Sequence, residues 1–190
     1  MDPFALLRFA HLIGLTLMGA GLIGVFVADM RSRQARDLNL FGQAVSLIGL
    51  FYDGLVVPGA LLLLGSGTWM IVAYHGGWDF LEVPWLTGMV TLFAFEFIEG
   101  NTVTRIYFLR LRRLTRRAMA AGDWTPDLRA VRGEAVPSFT HFLDLPILTV
   151  IIALGALRPE DWATFAVGAG LALAVATALN LLVPRLYPWG

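Results

Sequence analysis

The residues that stand out chemically in this chain are ionisable groups embedded in apolar sequence. Within the stretch from Val90 to Met119, Glu96, Glu99, Asn101 and Arg105 precede a run of Arg110, Arg112, Arg113, Arg116 and Arg117. A carboxylate near a bilayer centre opposes insertion by about 3 kcal/mol, so an intramembrane acid marks a functional site by default. Glu96 and Glu99 are three apart and share a helix face. Arg105 follows Glu96 by nine residues and lies about 180° round the helix at about 100° per residue, so it is not their intrahelical counter-ion. Either protonation neutralises the acids or another helix brings them a partner, and both outcomes build the bundle around this helix. Asp53, His141 and Asp144 are the residues other helices can bring. The expected cluster of buried charge is therefore Asp53, Glu96, Glu99, Arg105, His141 and Asp144. Asp53, Arg105 and Asp144 fall within about two or three turns of their cytoplasmic helix ends, at about 5.4 Å per turn. Arg105 is accordingly expected to form a buried pair with Asp144 or Asp53, with Glu96, nearer mid-membrane, partly protonated.

A second candidate site lies in the first apolar run, where His11, Gly14, Met18 and Gly21 recur at helical spacing on one stripe. Two readings compete. Small residues in such a stripe let another helix approach closely. The same glycines would also leave a slot for a flat ligand beside the imidazole, which is an axial ligand of haem. On that reading His11, Gly14, Met18 and Arg8 bind a cofactor, haem b, with Arg8 placed for a propionate. A second imidazole is not at hand, because His75 lies at the outer end of the second span and His141 at the opposite face. The chain has no cysteine, which removes disulfides, thiolate metal sites and cysteine nucleophiles. No metal centre is expected, and no Ser or Thr lies in a nucleophile motif.

The elements that must position these groups follow from composition. Of 190 residues, 57% are hydrophobic and 15% charged, with a mean hydropathy of +0.71; soluble domains carry about 25% charged residues. The fold class is all-α, a polytopic membrane bundle of about five transmembrane helices forming a single domain over 1–190. Spans of about 20 residues are expected near 4–28, 46–74, 84–108, 138–157 and 162–183, with a cytoplasmic basic segment over 109–137. Pro58 removes a backbone donor and frees the carbonyl of Gly54, so a kink is expected one turn beyond Asp53. Pro146 does the same beside Asp144. All basic residues are arginine. Twelve fall on one side of this arrangement, and only Arg8 and Arg158 on the other, which places the N-terminus outside and the C-terminus in the cytoplasm. The arginine run is a topology signal rather than a nucleic-acid patch. Lipid is the expected partner, with a homo-oligomer or a larger membrane complex as the assembly.

The chain resembles a bacterial family of predicted integral membrane proteins of unknown function. The likeness lies in Arg8-Phe-Ala-His11-Leu-Ile-Gly14, Asp53 with Pro58-Gly59, Glu99-Gly-Asn-Thr102 with Arg105, and Asp144-Leu-Pro146 with Gly155-Ala-Leu-Arg158-Pro. It implies a bacterial inner (cytoplasmic) membrane location and brings no activity. The His-x-x-Gly opening is similar to that of HemJ-type protoporphyrinogen oxidases and CopD-type copper-transport proteins, and that similarity implies haem or metal chemistry at His11 alone. Three functions remain open at this stage. One is a non-catalytic accessory or scaffold subunit whose buried charges lock helix register. Another is a haem- or quinone-associated redox protein using His11. The third is a proton- or cation-coupled transporter with Asp53, Glu96, Glu99 and Asp144 as a relay.

Overall fold

The computed structural model describes residues 2–189 and is helical throughout those elements. Helix α1 (Pro3–Gln34) opens on Asp2, whose carboxylate accepts the Phe4 N–H at 3.0 Å, with Pro3 at the first helical position. Helix α2 (Leu38–Phe51) is capped by Asp37, which accepts from the N–H groups of Asn39 and Leu40. Both arrangements satisfy N–H groups that have no intrahelical acceptor. A π turn, Tyr52–Val56, carries the chain into α3 (Val57–Tyr74). After a short 3₁₀ turn at Gly77–Glu82, α4 (Pro84–Glu99) runs through a second π turn, Gly100–Thr104, into α5 (Arg105–Ala121). Gly122, at φ 74°, ends α5 in the left-handed conformation that glycine adopts without strain. The short α6 (Pro126–Arg132), the long α7 (Ala135–Leu157) and α8 (Trp162–Leu186) complete the chain.

Neighbouring helices run antiparallel, as their contacts show. Gly14 of α1 meets Gly59 and Leu63 of α3, while Gly21 and Gly24 meet Val56 and Phe51. Gly42 and Gly49 of α2 face Met119 and Arg112 of α5. Gly88 of α4 meets Leu154 of α7, and Thr104 meets Thr140. The best-buried core lies toward the end of the bundle that carries most of the arginines, around Val25, Phe41, Ile48, Leu111 and Leu128. There α5 is amphipathic: Tyr107, Phe108, Leu111, Leu114 and Ala118 face inward, and Arg113, Arg116 and Arg117 face out.

Among the described residues, four helical stretches are long and apolar enough to cross a membrane: Pro3–Gln34, Leu38–Tyr74, Ala135–Leu157 and Trp162–Leu186. The helix from Pro84, with Glu96 and Glu99 in it, lies antiparallel along α7 but is not among the four. Several helices extend beyond the spans expected from the sequence. Helix α1 runs on past residue 28 because Asp29, Ser32 and Arg33 are themselves buried and pair with one another. Leu38 rather than 46 begins the second helical region, and Ala135 rather than 138 begins α7. The expected interruption at Pro58 takes the form of a π turn immediately before it, in which the Val57 N–H reaches back to the Tyr52 carbonyl. Pro146 sits inside α7 without breaking it.

Candidate functional site: a buried polar chain

The two π turns face each other. Each inserts one residue into its helix and turns the following side chains by about a quarter of a revolution, a device that recurs at functional sites. The Tyr52 hydroxyl donates to the Gly100 carbonyl at 2.6 Å, in a buried contact. That carbonyl also accepts the Arg105 N–H that closes the second π turn. A side chain at position 100 would place its Cβ 3.0 Å from the Tyr52 hydroxyl, so glycine makes room for the bond. Beside this junction is a cleft of about 40 Å³ lined by Met18, Val57, Glu96, Asn101 and Asp144 among others. It is large enough for two or three water molecules.

From the cleft a line of buried ionisable groups runs toward the basic end of the bundle. Asp144 on α7 is 4% exposed, and its Oδ2 lies 3.5 Å from His141 Nδ1. The other ring nitrogen, Nε2, lies 3.9 Å from Asp29 Oδ2 on α1. Asp29 in turn accepts the Arg33 Nε–H at 2.8 Å, with both side chains at or below 3% exposure. The imidazole thus sits between two carboxylates, close enough for attraction but too far for a good hydrogen bond; neither ring nitrogen has a hydrogen-bond partner. Phe108 and Phe142 pack on it, with ring centroids 5.3 and 5.5 Å away. At the end of the line the Arg33 guanidinium stacks on Trp189, 4.4 Å from the ring centroid, and donates to Ser138 at 3.4 Å. Glu99 joins from the side, its Oε1 accepting the Thr104 hydroxyl at 2.7 Å; Thr104 lies 3.1 Å from the Thr140 hydroxyl. Among the described residues, no cation lies within ion-pair distance of Glu96 or Glu99.

The structure divides the sequence candidates into three places. Glu96, Glu99, His141 and Asp144 belong to the buried line and its cleft. Asp53 and Arg105 pair on the flank of the bundle at 3.4 Å, where Arg112 also approaches Asp53 at 3.5 Å. The side chains of Asp53 and Arg105 are 38% and 39% exposed, so this pair lies on the outer face of the bundle and is not the buried pair expected from the sequence. His11 lies elsewhere, near the opposite end, with its Nδ1 3.0 Å from the Ser66 hydroxyl. That hydroxyl also lies 2.6 Å from the Leu62 carbonyl, so Ser66 ties the imidazole to the backbone of α3. Arg8 is exposed.

The glycine stripe beside His11 is consumed by helix packing. A Cβ at Gly14 would lie 3.0 Å from the Gly59 carbonyl, and one at Gly21 would lie 2.8 Å from the Val56 backbone. Met18, on the same stripe, lines the cleft that Glu96 also lines. A haem does not fit between α1 and α3 in this arrangement, because the space its ring would need is filled by backbone and by Leu63.

Sequence reasoning missed Asp29, Arg33, Tyr52 and Thr104. A signal existed for the first two: an acid followed four residues later by a base on one helix face is an intrahelical pair. Tyr52 adjoins Asp53 and carried no signal, since its role depends on a π turn.

No curated protein and no solved structure matches the chain. A family model described as predicted integral membrane protein (DUF2269) matches residues 5–159. That match takes in α1 to α7, every element of the buried line, and leaves out α8. The chain therefore belongs to the DUF2269 family of predicted integral membrane proteins.

Proposed function

We propose that this protein is a proton-coupled membrane protein whose centre is the cleft shared by Glu96 and Asp144. The bundle crosses the inner membrane five times, with the N-terminus outside and the basic end in the cytoplasm. Two features support this placement: the arginines gather at one end, and the helix from Pro84 lies antiparallel along the membrane-length α7. The observation that carries the functional reading is the position of His141 between Asp144 and Asp29, in line with a water-sized cleft. Imidazole passes protons between its two nitrogens at physiological pH, and chains of Asp, Glu and His within membrane segments are characteristic proton relays. Asp144 and Asp29 flank a single imidazole and Glu96 lines the same cleft as Asp144, and charge balance in a buried site favours protons among these carboxyl groups. The close packing of Gly14, Gly59 and Leu63 closes one side of the cleft, and at the other end the line stops at Arg33, buried under Trp189, so exchange with the cytoplasm needs that end to move.

This relay differs from the sequence expectation in omitting Asp53 and including His141 and Asp29. A static scaffold built from the same residues would hold fixed charges instead. Potentiometric titration of the purified protein separates the two. Between about pH 5 and 9 the wild type should take up about one proton more than a Glu96→Gln/Asp144→Asn variant, as a coupled pair does. Identical titration curves for two folded proteins would favour the scaffold.

A further inference from the structure

On the flank of the bundle, away from the buried line, α5 presents Arg105 and Arg112 to the single carboxylate of Asp53. Both distances, 3.4 and 3.5 Å, exceed the 2.7–2.9 Å typical of charge-assisted hydrogen bonds. Two guanidiniums offer about ten N–H donors and Asp53 engages one from each. The Arg105 Nε is shielded from solvent and has no hydrogen-bond partner. The cluster keeps a net charge of about +1 by this count, and it opens onto an apolar surface: Leu50, Ile106 and Leu109 are 64%, 58% and 42% exposed. The Arg112 guanidinium packs on Gly49, where a Cβ would lie 2.6 Å from its Nη1.

We infer that Arg105 and Arg112 form a binding site for the phosphodiester headgroup of an anionic phospholipid. A planar guanidinium matches phosphate bidentately. The spare donors supply the recognition, and the neighbouring apolar side chains give the acyl chains a continuous surface, which a free phosphate would not use. Asp53 aligns the two arginines when the site is empty and competes with the phosphate when it is filled.

The test is retention of phosphatidylglycerol against phosphatidylcholine by the intact protein, read by native mass spectrometry after detergent extraction. Wild type should keep one phosphatidylglycerol in preference to phosphatidylcholine. Arg105→Gln/Arg112→Gln should weaken retention about tenfold or more, from the loss of two interfacial cations. Arg113→Gln/Arg117→Gln removes the same charge from the exposed face of α5 and should leave retention within about twofold, because the effect is local. Asp53→Asn should strengthen retention by severalfold, whereas Asp123→Asn should not. Equal losses in the two double-arginine variants would overturn the site. So would equal retention of the two lipids. Displacement of the lipid by millimolar inorganic phosphate as readily as by phosphatidylglycerol would replace the lipid by a free anion and overturn the lipid assignment.

Discussion

The hydroxyl of Tyr52 donates to the carbonyl of Gly100 at 2.6 Å, joining the π turn of one helix to the π turn of another. The bond fixes the depth at which α2–α3 and α4–α5 meet, and therefore where Glu96 and Asn101 stand relative to the cleft. Tyr52→Phe should cost about 1–2 kcal/mol, the loss of a buried hydrogen bond whose acceptor keeps one other partner. Gly100→Ala pushes its methyl against the same hydroxyl. The two changes should be non-additive: Gly100→Ala should cost less in the Tyr52→Phe background, measured by unfolding in mixed micelles and analysed as a double-mutant cycle.

Asp29 and Arg33 should dominate the electrostatic stability of the bundle, since both are almost fully buried. Asp29→Leu leaves the guanidinium of Arg33 without its carboxylate and should cost about 3–5 kcal/mol, while Asp29→Leu/Arg33→Leu should recover most of that loss. The exposed pair behaves differently. Arg105→Leu should cost less than Asp29→Leu, because Arg112 remains beside Asp53, so an equal or larger cost would contradict the placement of the pair on the outer face.

The α1–α3 contact predicts a contrast between two glycines of one helix. A Cβ at Gly59 would lie 2.5 Å from the Met18 backbone nitrogen, whereas one at Gly65 meets nothing within 4 Å. Gly59→Ala should destabilise by about 1–3 kcal/mol through overpacking. Gly65→Ala should be neutral or stabilise by up to about 1 kcal/mol through helix propensity. Thermal aggregation midpoints of the two purified variants would show the difference.

Much of this architecture is legible in the sequence because apolar length and arginine asymmetry are collective signals that no single residue controls. The division of the charged residues was less so. Asp29 and Arg33 sit where an apolar run meets arginines, and a topology signal there looks the same whether the arginine points to water or, like Arg33, turns back onto Asp29 and Trp189. Asp53 lies in apolar sequence yet faces outward, because Leu50 and Asp53 share the lipid-side flank with Arg112. The π turns left no trace: one extra residue in a helical turn alters no propensity, but it re-aims Arg105 and everything after it. His11, Gly14 and Gly21 fit either a ligand slot or a helix interface, and only the partner glycine, Gly59, distinguishes them.

A pH dependence is expected outside the membrane at the start of α8. Asp161 accepts the Thr164 N–H at 2.7 Å and the Thr164 hydroxyl at 3.0 Å. These bonds, led by the backbone one, hold its carboxyl below its ordinary value of 3.8. A group depressed in the folded state stabilises above its unfolded value and loses that contribution as pH falls through the folded one. The protection factor of the Thr164 amide, its slowing relative to a free amide at the same pH, should therefore hold down to about pH 4 and fall on further acidification. In Asp161→Asn that acid-dependent step should disappear.

The claim that Glu96 and Asp144 share an exchangeable proton is tested most directly by infrared difference spectroscopy of the protein in lipid nanodiscs during pH titration. A protonated-carboxyl stretch should appear on acidification and disappear on return to alkaline pH. It should shift or vanish in Glu96→Gln and in Asp144→Asn, and His141→Phe should change its titration midpoint. A spectrum with no buried carboxyl band responding to pH in the wild type, or one identical in all three variants, would contradict the account.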